Sequence, residues 1–187
     1  MAPLDGLDNV RRILAEDPRC KWGFVIYRCT YDDEAAWQKF MAHLNDRVRL
    51  NLEEEGNGEL FDRLDWSVQE DPSLEGALVE DVRARFLEWT TAHAAEDDWM
   101  GTPRFHACVM VEKTHVEGVL EGPPADEFDS WGEGSVVLVS KNEDEDMTFV
   151  GASLLVPRVY TLLENDGWDS FAVDPDEGDT AECLTMV

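Results

Sequence analysis

Positive charge is the scarcest resource in this sequence. Lys and Arg number 15 against 42 Asp and Glu, a formal net charge of -27 over 187 residues, and only four of the cations are lysines. With no basic stripe, the chain is excluded from tracking a nucleic-acid backbone, whose phosphates it would repel. An anionic membrane surface is disfavoured for the same reason. Long apolar runs are also missing; none approaches the roughly 18 residues that a membrane span needs. The first 17 residues, MAPLDGLDNVRRILAED, hold no apolar segment of the kind a secretory signal requires. There is no N-x-[ST] glycosylation acceptor. Cysteine is sparse: Cys20, Cys29, Cys108 and Cys183 are too few and too scattered for a disulfide framework. Cys183 stands one place too early for a prenylation box. These absences together predict a cytoplasmic protein.

Apolar material is plentiful. Hydrophobic residues make up 43% of the chain, aromatics 10%, and there are seven Trp, enough for a core and against full disorder. The length fits one domain. Leu4, Leu7, Val10 and Leu14 predict a short helix over 4–16. Trp22 to Tyr31, rich in β-branched and aromatic residues and apolar on both faces, reads as a central strand. Asp32 or Asp33 is placed to cap a helix carrying Trp37, Phe40, Met41, Leu44 and Val48, which gives way near Asn51. Residues 60–69 are ambiguous, with an extended piece suggested by Leu64, Trp66 and Val68. A second long helix follows from Leu78 through Val82, Phe86 and Trp89 to His93. Alternation over 104–111 marks a strand, and Thr114 caps a short helix through Leu120. A strand at Val136 to Val139 and a hairpin partner within 147–154 come next. Pro157 opens a helix that Gly167 stops, and Trp168 to Val173 reads as an edge strand. The pattern predicts an α+β domain over 22–173, a mixed sheet packed by two or three helices, with a ferredoxin-like core as the leading arrangement. Residues 1–21 form an N-terminal helical arm and 174–187 an acidic, mobile tail.

Several stretches together carry a resemblance. They are Trp22-Gly-Phe-Val-Ile-Tyr-Arg-Cys-Thr-Tyr31 with Asp32, Asp33 and Trp37, then Leu64-Asp-Trp66 with Asp71. Val82-Arg83, Phe86 and Trp89 follow, with Arg104-Phe-His-Ala-Cys108, Leu155-Val-Pro-Arg-Val-Tyr160 and Gly167-Trp168. Over Trp22 to about Trp168 the chain resembles a widespread group of uncharacterised proteins of filamentous fungi. The resemblance implies a fungal, cytoplasmic protein and brings no activity or catalytic set with it.

Signatures of common chemistry are absent. There is no phosphate-binding G-x-x-x-x-G-K-[ST] loop, no G-x-S-x-G elbow, no H-E-x-x-H and no C-x-x-C. His106 and Cys108, with His115, are too weak a set to predict a metal, and the acidic loops lack calcium-ligand spacing. Cys29 or Cys108 beside His106 would be the nucleophile pairing, but a buried thiol is more often inert. No catalytic residue, cofactor or metal is therefore assigned.

Two places remain. Arg28 and Arg104 sit in the expected central strands of a very acidic chain, so each needs a carboxylate partner or a ligand. With His106, and Tyr31 as a wall, they form a candidate pocket for a small anion. Trp99, Trp131 and Trp168 lie in loops or at element ends and are candidate partner contacts. The leading expectation is a non-enzymatic protein that binds other proteins, with basic partners favoured by charge, through loop aromatics and its acidic surface.

Overall fold

A computed structural model describes residues 6–96 and 102–174. Within them the chain is an α+β protein whose five-stranded mixed sheet carries helices on both faces. In chain order the elements are α1 (Asp8–Glu16), β1 (Val25–Arg28), α2 (Glu34–Glu54), β2 (Ser67–Glu70), α3 (Val79–Ala92), the single-turn α4 (Pro103–His106), β3 (Ala107–Val111), α5 (Lys113–Glu121), β4 (Ser135–Ser140), β5 (Met147–Gly151) and α6 (Tyr160–Asn165).

The sheet order is β2-β1-β3-β4-β5. β1 runs parallel to both β2 and β3, and β4 and β5 continue antiparallel. This corrects the ferredoxin-like arrangement expected above. β2 lies on one side of β1 and β3 on the other, so the two crossovers step in opposite directions. Crossovers of one hand then place their helices on opposite faces. Phe24, Ile26 and Val109 pack with Trp37, Phe40 and Leu44 of α2. Val25, Tyr27 and Cys108 pack with Val82, Phe86 and Trp89 of α3. Burial on both faces is why β1 reads as a continuous apolar run.

Local chemistry sets the elements. Asp33 caps α2, its carboxylate accepting the Ala36 N–H at 2.9 Å. The helix runs past its expected end because Asn51 faces inward, donating to the carbonyls of Ser153 at 2.8 Å and Val156 at 3.0 Å. At Gly23 the backbone takes φ +105°, and a Cβ there would meet the Asp65 carbonyl oxygen at 2.9 Å. Only glycine lets the approach to β1 run so close to the lead-in of β2. Leu7 and, on α1, Val10 and Leu14 join the α2-side core, and Asn9 donates to Glu164 of α6.

Two further expectations change. Arg104 to His106 belong to α4 rather than to a strand: Pro103 at the first helical position starts a turn that runs to His106, and β3 begins at Ala107. Trp168 to Val173 form no edge strand. After Gly167, at φ +84°, a short 3₁₀ turn over Trp168–Ser170 buries Trp168 and Phe171. Val173 then exchanges hydrogen bonds with the Thr148 hydroxyl of β5. The Val156–Pro157 peptide is cis. The expected tail beyond 174 lies outside the described residues.

Phe86 is fully buried at the centre of the α3-side core. Phe86→Ala should lower unfolding stability by about 3–5 kcal/mol. Leu78→Ala, at a side chain 67% exposed, should change it by less than about 0.5 kcal/mol. Urea denaturation of both variants checks this.

Candidate functional site

The arginines singled out in the sequence are buried, and each is held by carboxylates and carbonyls. Arg28 ends β1. Its guanidinium donates to the Thr30 carbonyl at 2.8 Å, to Glu70 at 3.0 Å and to Glu34 at 2.7 Å. Tyr31 and Trp37 flank it, with ring centroids 4.5 and 4.8 Å from Cζ. Burial opposes its charge, but the bonds to Glu34 and Glu70 outweigh that and raise its pKa. Arg104 reaches from α4 to the other end of β1. One of its nitrogens donates to the carbonyls of Gly23 at 3.0 Å and Asp65 at 2.9 Å, and the other to the Asp65 carboxylate at 2.6 Å. Gly23 and Arg28 are five residues apart on an extended chain, about 16 Å. The structure therefore separates Arg28 from Arg104.

His106 stands apart from both contact sets. Its Nε2 lies 2.7 Å from Glu145, and its ring stacks near Trp168 with centroids 6.4 Å apart. Glu145 also accepts the Ser140 hydroxyl. Burial would raise the Glu145 carboxyl, but the bonds from Ser140, His106 and Asn142 hold it below its ordinary range. Because the hydroxyl points at the carboxylate and not at the imidazole, this trio does not form a nucleophile–base pair. It fastens the β4–β5 turn.

A cavity of about 240 Å³ lies beside Arg104, lined also by Asp17, Arg19, Cys20 and Lys21. Arg19 forks onto Asp17 at 3.0 and 2.7 Å, and Arg104 is engaged with Asp65. The lining carries Arg19, Lys21 and Arg104 against Asp17 alone, but Asp65 beside it pairs with both Arg104 and Lys21, so each of these cations already has a carboxylate partner. Cys29 and Cys108 share the α3-side core. Burial pushes the Cys29 thiol up to about 12 and Cys108 well above its ordinary value, so neither supplies thiolate near neutral pH. Among the described residues, no three His, Cys, Asp or Glu side chains converge as a metal requires. Nor is any helix among them long and apolar enough to cross a membrane. At the strand ends where β1 and β3 diverge, the crevice that often takes ligands in parallel sheets carries the Lys113–Asp32 ion pair, at 2.7 Å.

The three candidate partner tryptophans separate cleanly. Trp99 lies outside the described residues. Trp168 is 5% exposed and belongs to the core, which corrects its expected surface role. Trp131 is 75% exposed. It sits in the loop between α5 and β4, and that loop is built to hold it. Buried Asp129 accepts the N–H groups of Gly134 at 2.8 Å and Trp131 at 3.3 Å. Arg47, buried on α2, donates to the Ala125 carbonyl at 3.0 Å and lies 5.5 Å from the half-exposed Phe128 ring. Around Trp131, Glu121, Asp126, Glu127 and Glu133 are exposed. Sequence reasoning missed Asp129, Arg47 and Phe128. The available signal was Arg47 falling between Leu44 and Val48 on the buried stripe of α2.

No protein-family model matches the chain, and no curated protein or solved structure matches it.

Arg104→Met should cost about 2–4 kcal/mol in chemical denaturation, since it strands the Gly23 and Asp65 carbonyls. His115 accepts the Glu112 N–H on Nδ1 at 3.0 Å, so it must be neutral in the fold, and burial lowers its pKa from 6.5 to about 4. Between these values the unfolded chain binds more protons than the folded one, so stability rises with pH across the window. Its contribution is complete above 6.5, and acidification from pH 7 to 4 removes about 3 kcal/mol from this group. Denaturation at stepped pH, with His115→Asn flattening the slope, checks this.

Proposed function

We propose that this protein is a non-enzymatic binding protein, which engages a basic partner through its acidic surface and anchors it on Trp131. The observation that carries this reading is the exposed Trp131 held on a loop clamped from within by Asp129 and Arg47. An aromatic side chain presented on a pre-ordered loop, with little backbone left to order on binding, is what interfaces use as an energetic anchor. The carboxylates around it complement a cationic partner and speed its approach at low salt. The buried arginines support the same reading from the other side: they pair from beneath with the exposed carboxylates Glu34, Glu70 and Asp146 and with Asp65, and with 42 acids against 15 cations the rest of the surface stays negative. The free thiols of Cys29 and Cys108 support a reducing, cytoplasmic setting. The resemblance to fungal proteins supports a fungal origin.

A lysine- and arginine-rich peptide array is the direct test. Peptides that bind the wild-type protein should weaken about tenfold or more in Trp131→Ala, and binding should fall steadily as salt rises. Affinity unchanged by Trp131→Ala, or insensitive to salt, would overturn the reading.

A further inference from the structure

At the sheet edge opposite the Trp131 loop, α3 leaves part of the sheet uncovered. The helix packs over β1, β3 and β4, and β2 lies beyond it. The result is a trough of about 310 Å³ between α3 and β2, lined by Tyr27, Gln69, Glu70, Leu74, Glu88 and Trp89, among others. A second hollow of about 420 Å³ shares Leu74, Arg85 and Glu88 with it and adds Glu75 and Asp81. Gly132, beside Trp131, lies against Gly151 at the end of β5, so the two places flank opposite edges of the sheet.

Two features of the trough are independent of its acidity. Tyr27 is 97% buried by residue, at 3% exposure, and lines the trough. Its hydroxyl makes no hydrogen bond with any described residue. Burial keeps that phenol protonated, so it both donates and accepts. The other feature is β2 itself, which ends the sheet and pairs along one edge only, with β1. Its outer edge offers backbone groups to an added strand, apart from the Val68 N–H, which already donates to the Trp66 carbonyl at 3.0 Å.

We propose that this trough seats an extended basic segment of the partner protein, paired with the open edge of β2 and placing an arginine or lysine side chain between Tyr27, Trp89 and Glu88. The proposal rests on the reading of a basic partner and names where and how a segment of it binds. Charge complementarity selects the occupant. The two hollows present Glu75, Asp81 and Glu88 together with Glu70 and Asp71; Arg28 takes Glu70 at 3.0 Å and Arg85 takes Asp71 at 3.3 Å, which leaves the carboxylates in excess. The Tyr27 oxygen accepts from a guanidinium or ammonium group, while the apolar stem of such a side chain lies against Trp89 and Leu74. Length agrees as well. Between them the two hollows are lined by α3 from Asp81 to Ala92, a rise of about 17 Å, the reach of about five extended residues.

The test uses the full chain and a synthetic hexapeptide alternating valine and arginine, with one alternating valine and glutamate as control. Calorimetry should show binding of the first peptide and none of the second. Glu88→Lys should weaken binding about tenfold or more, and Tyr27→Phe about threefold, while Glu117→Lys, with the same change in net charge on α5, should change it less than about twofold. Amide shifts in the wild-type protein should cluster on Ser67–Glu70. Equal weakening by Glu88→Lys and Glu117→Lys, or shifts confined to the Trp131 loop, would overturn the trough while leaving a basic partner in place. Failure of the wild-type protein to bind any basic peptide would remove both.

Discussion

The fold depends on pairing a few buried guanidiniums with carboxylates and carbonyls distant in sequence. Arg28, Arg47, Arg83 and Arg104 are each 6% exposed or less. Arg28 joins the end of β1 to α2 and β2. Arg104 joins α4 to the lead-ins of β1 and β2. Arg83 fastens α3 to the β4–β5 turn through the Ser140 carbonyl and Asp146, and Arg47 ties α2 to the loop that presents Trp131. A buried charge without partners is costly, so each arginine fixes its surroundings strongly. The planar fork, with donors in fixed directions, suits this work better than lysine. In a chain so short of cations, this internal use leaves a surface dominated by carboxylates.

The order of the parallel strands is the second constraint. Because β1 is flanked by both β2 and β3, its two ends become separate places. The candidate anion pocket required Arg28, Arg104 and His106 to converge, and the register sends them to different ends and layers. The same order puts α3 over the middle of the sheet and leaves β2 uncovered. What the topology takes from the expected pocket it gives to an acidic trough on the open edge.

Much of the fold was legible in the residues. The apolar run of β1, the Asp33 cap, the stripes of α2 and α3 and the β4–β5 hairpin all follow from periodicity and capping. The failures have physical causes. Arg104 to His106 alternate like a strand, but Pro103 starts a helical turn there. Trp168 looked like a surface residue because it follows a helix stop, yet the turn after Gly167 folds it inward. The site was less legible. That Arg28 and Arg104 would be buried with carboxylates followed from charge scarcity, but which carboxylates depended on contacts 39 and 42 residues apart. Trp131 was identified, whereas the buried Asp129 that holds it was not.

By itself the sequence determined the chain's class and its electrostatic character. Hydrophobic spacing is a local property, and net charge is a sum that folding does not change. Only the tertiary structure decided which charges cancel and which face outward, because pairing needs proximity and proximity is set by strand order. It buried Trp168, exposed Trp131, split the arginines along β1 and opened the trough beside β2. The scarcity of positive charge is visible in composition alone. Its consequence, an interior pinned by arginine beneath an acidic surface, exists only once the chain is folded.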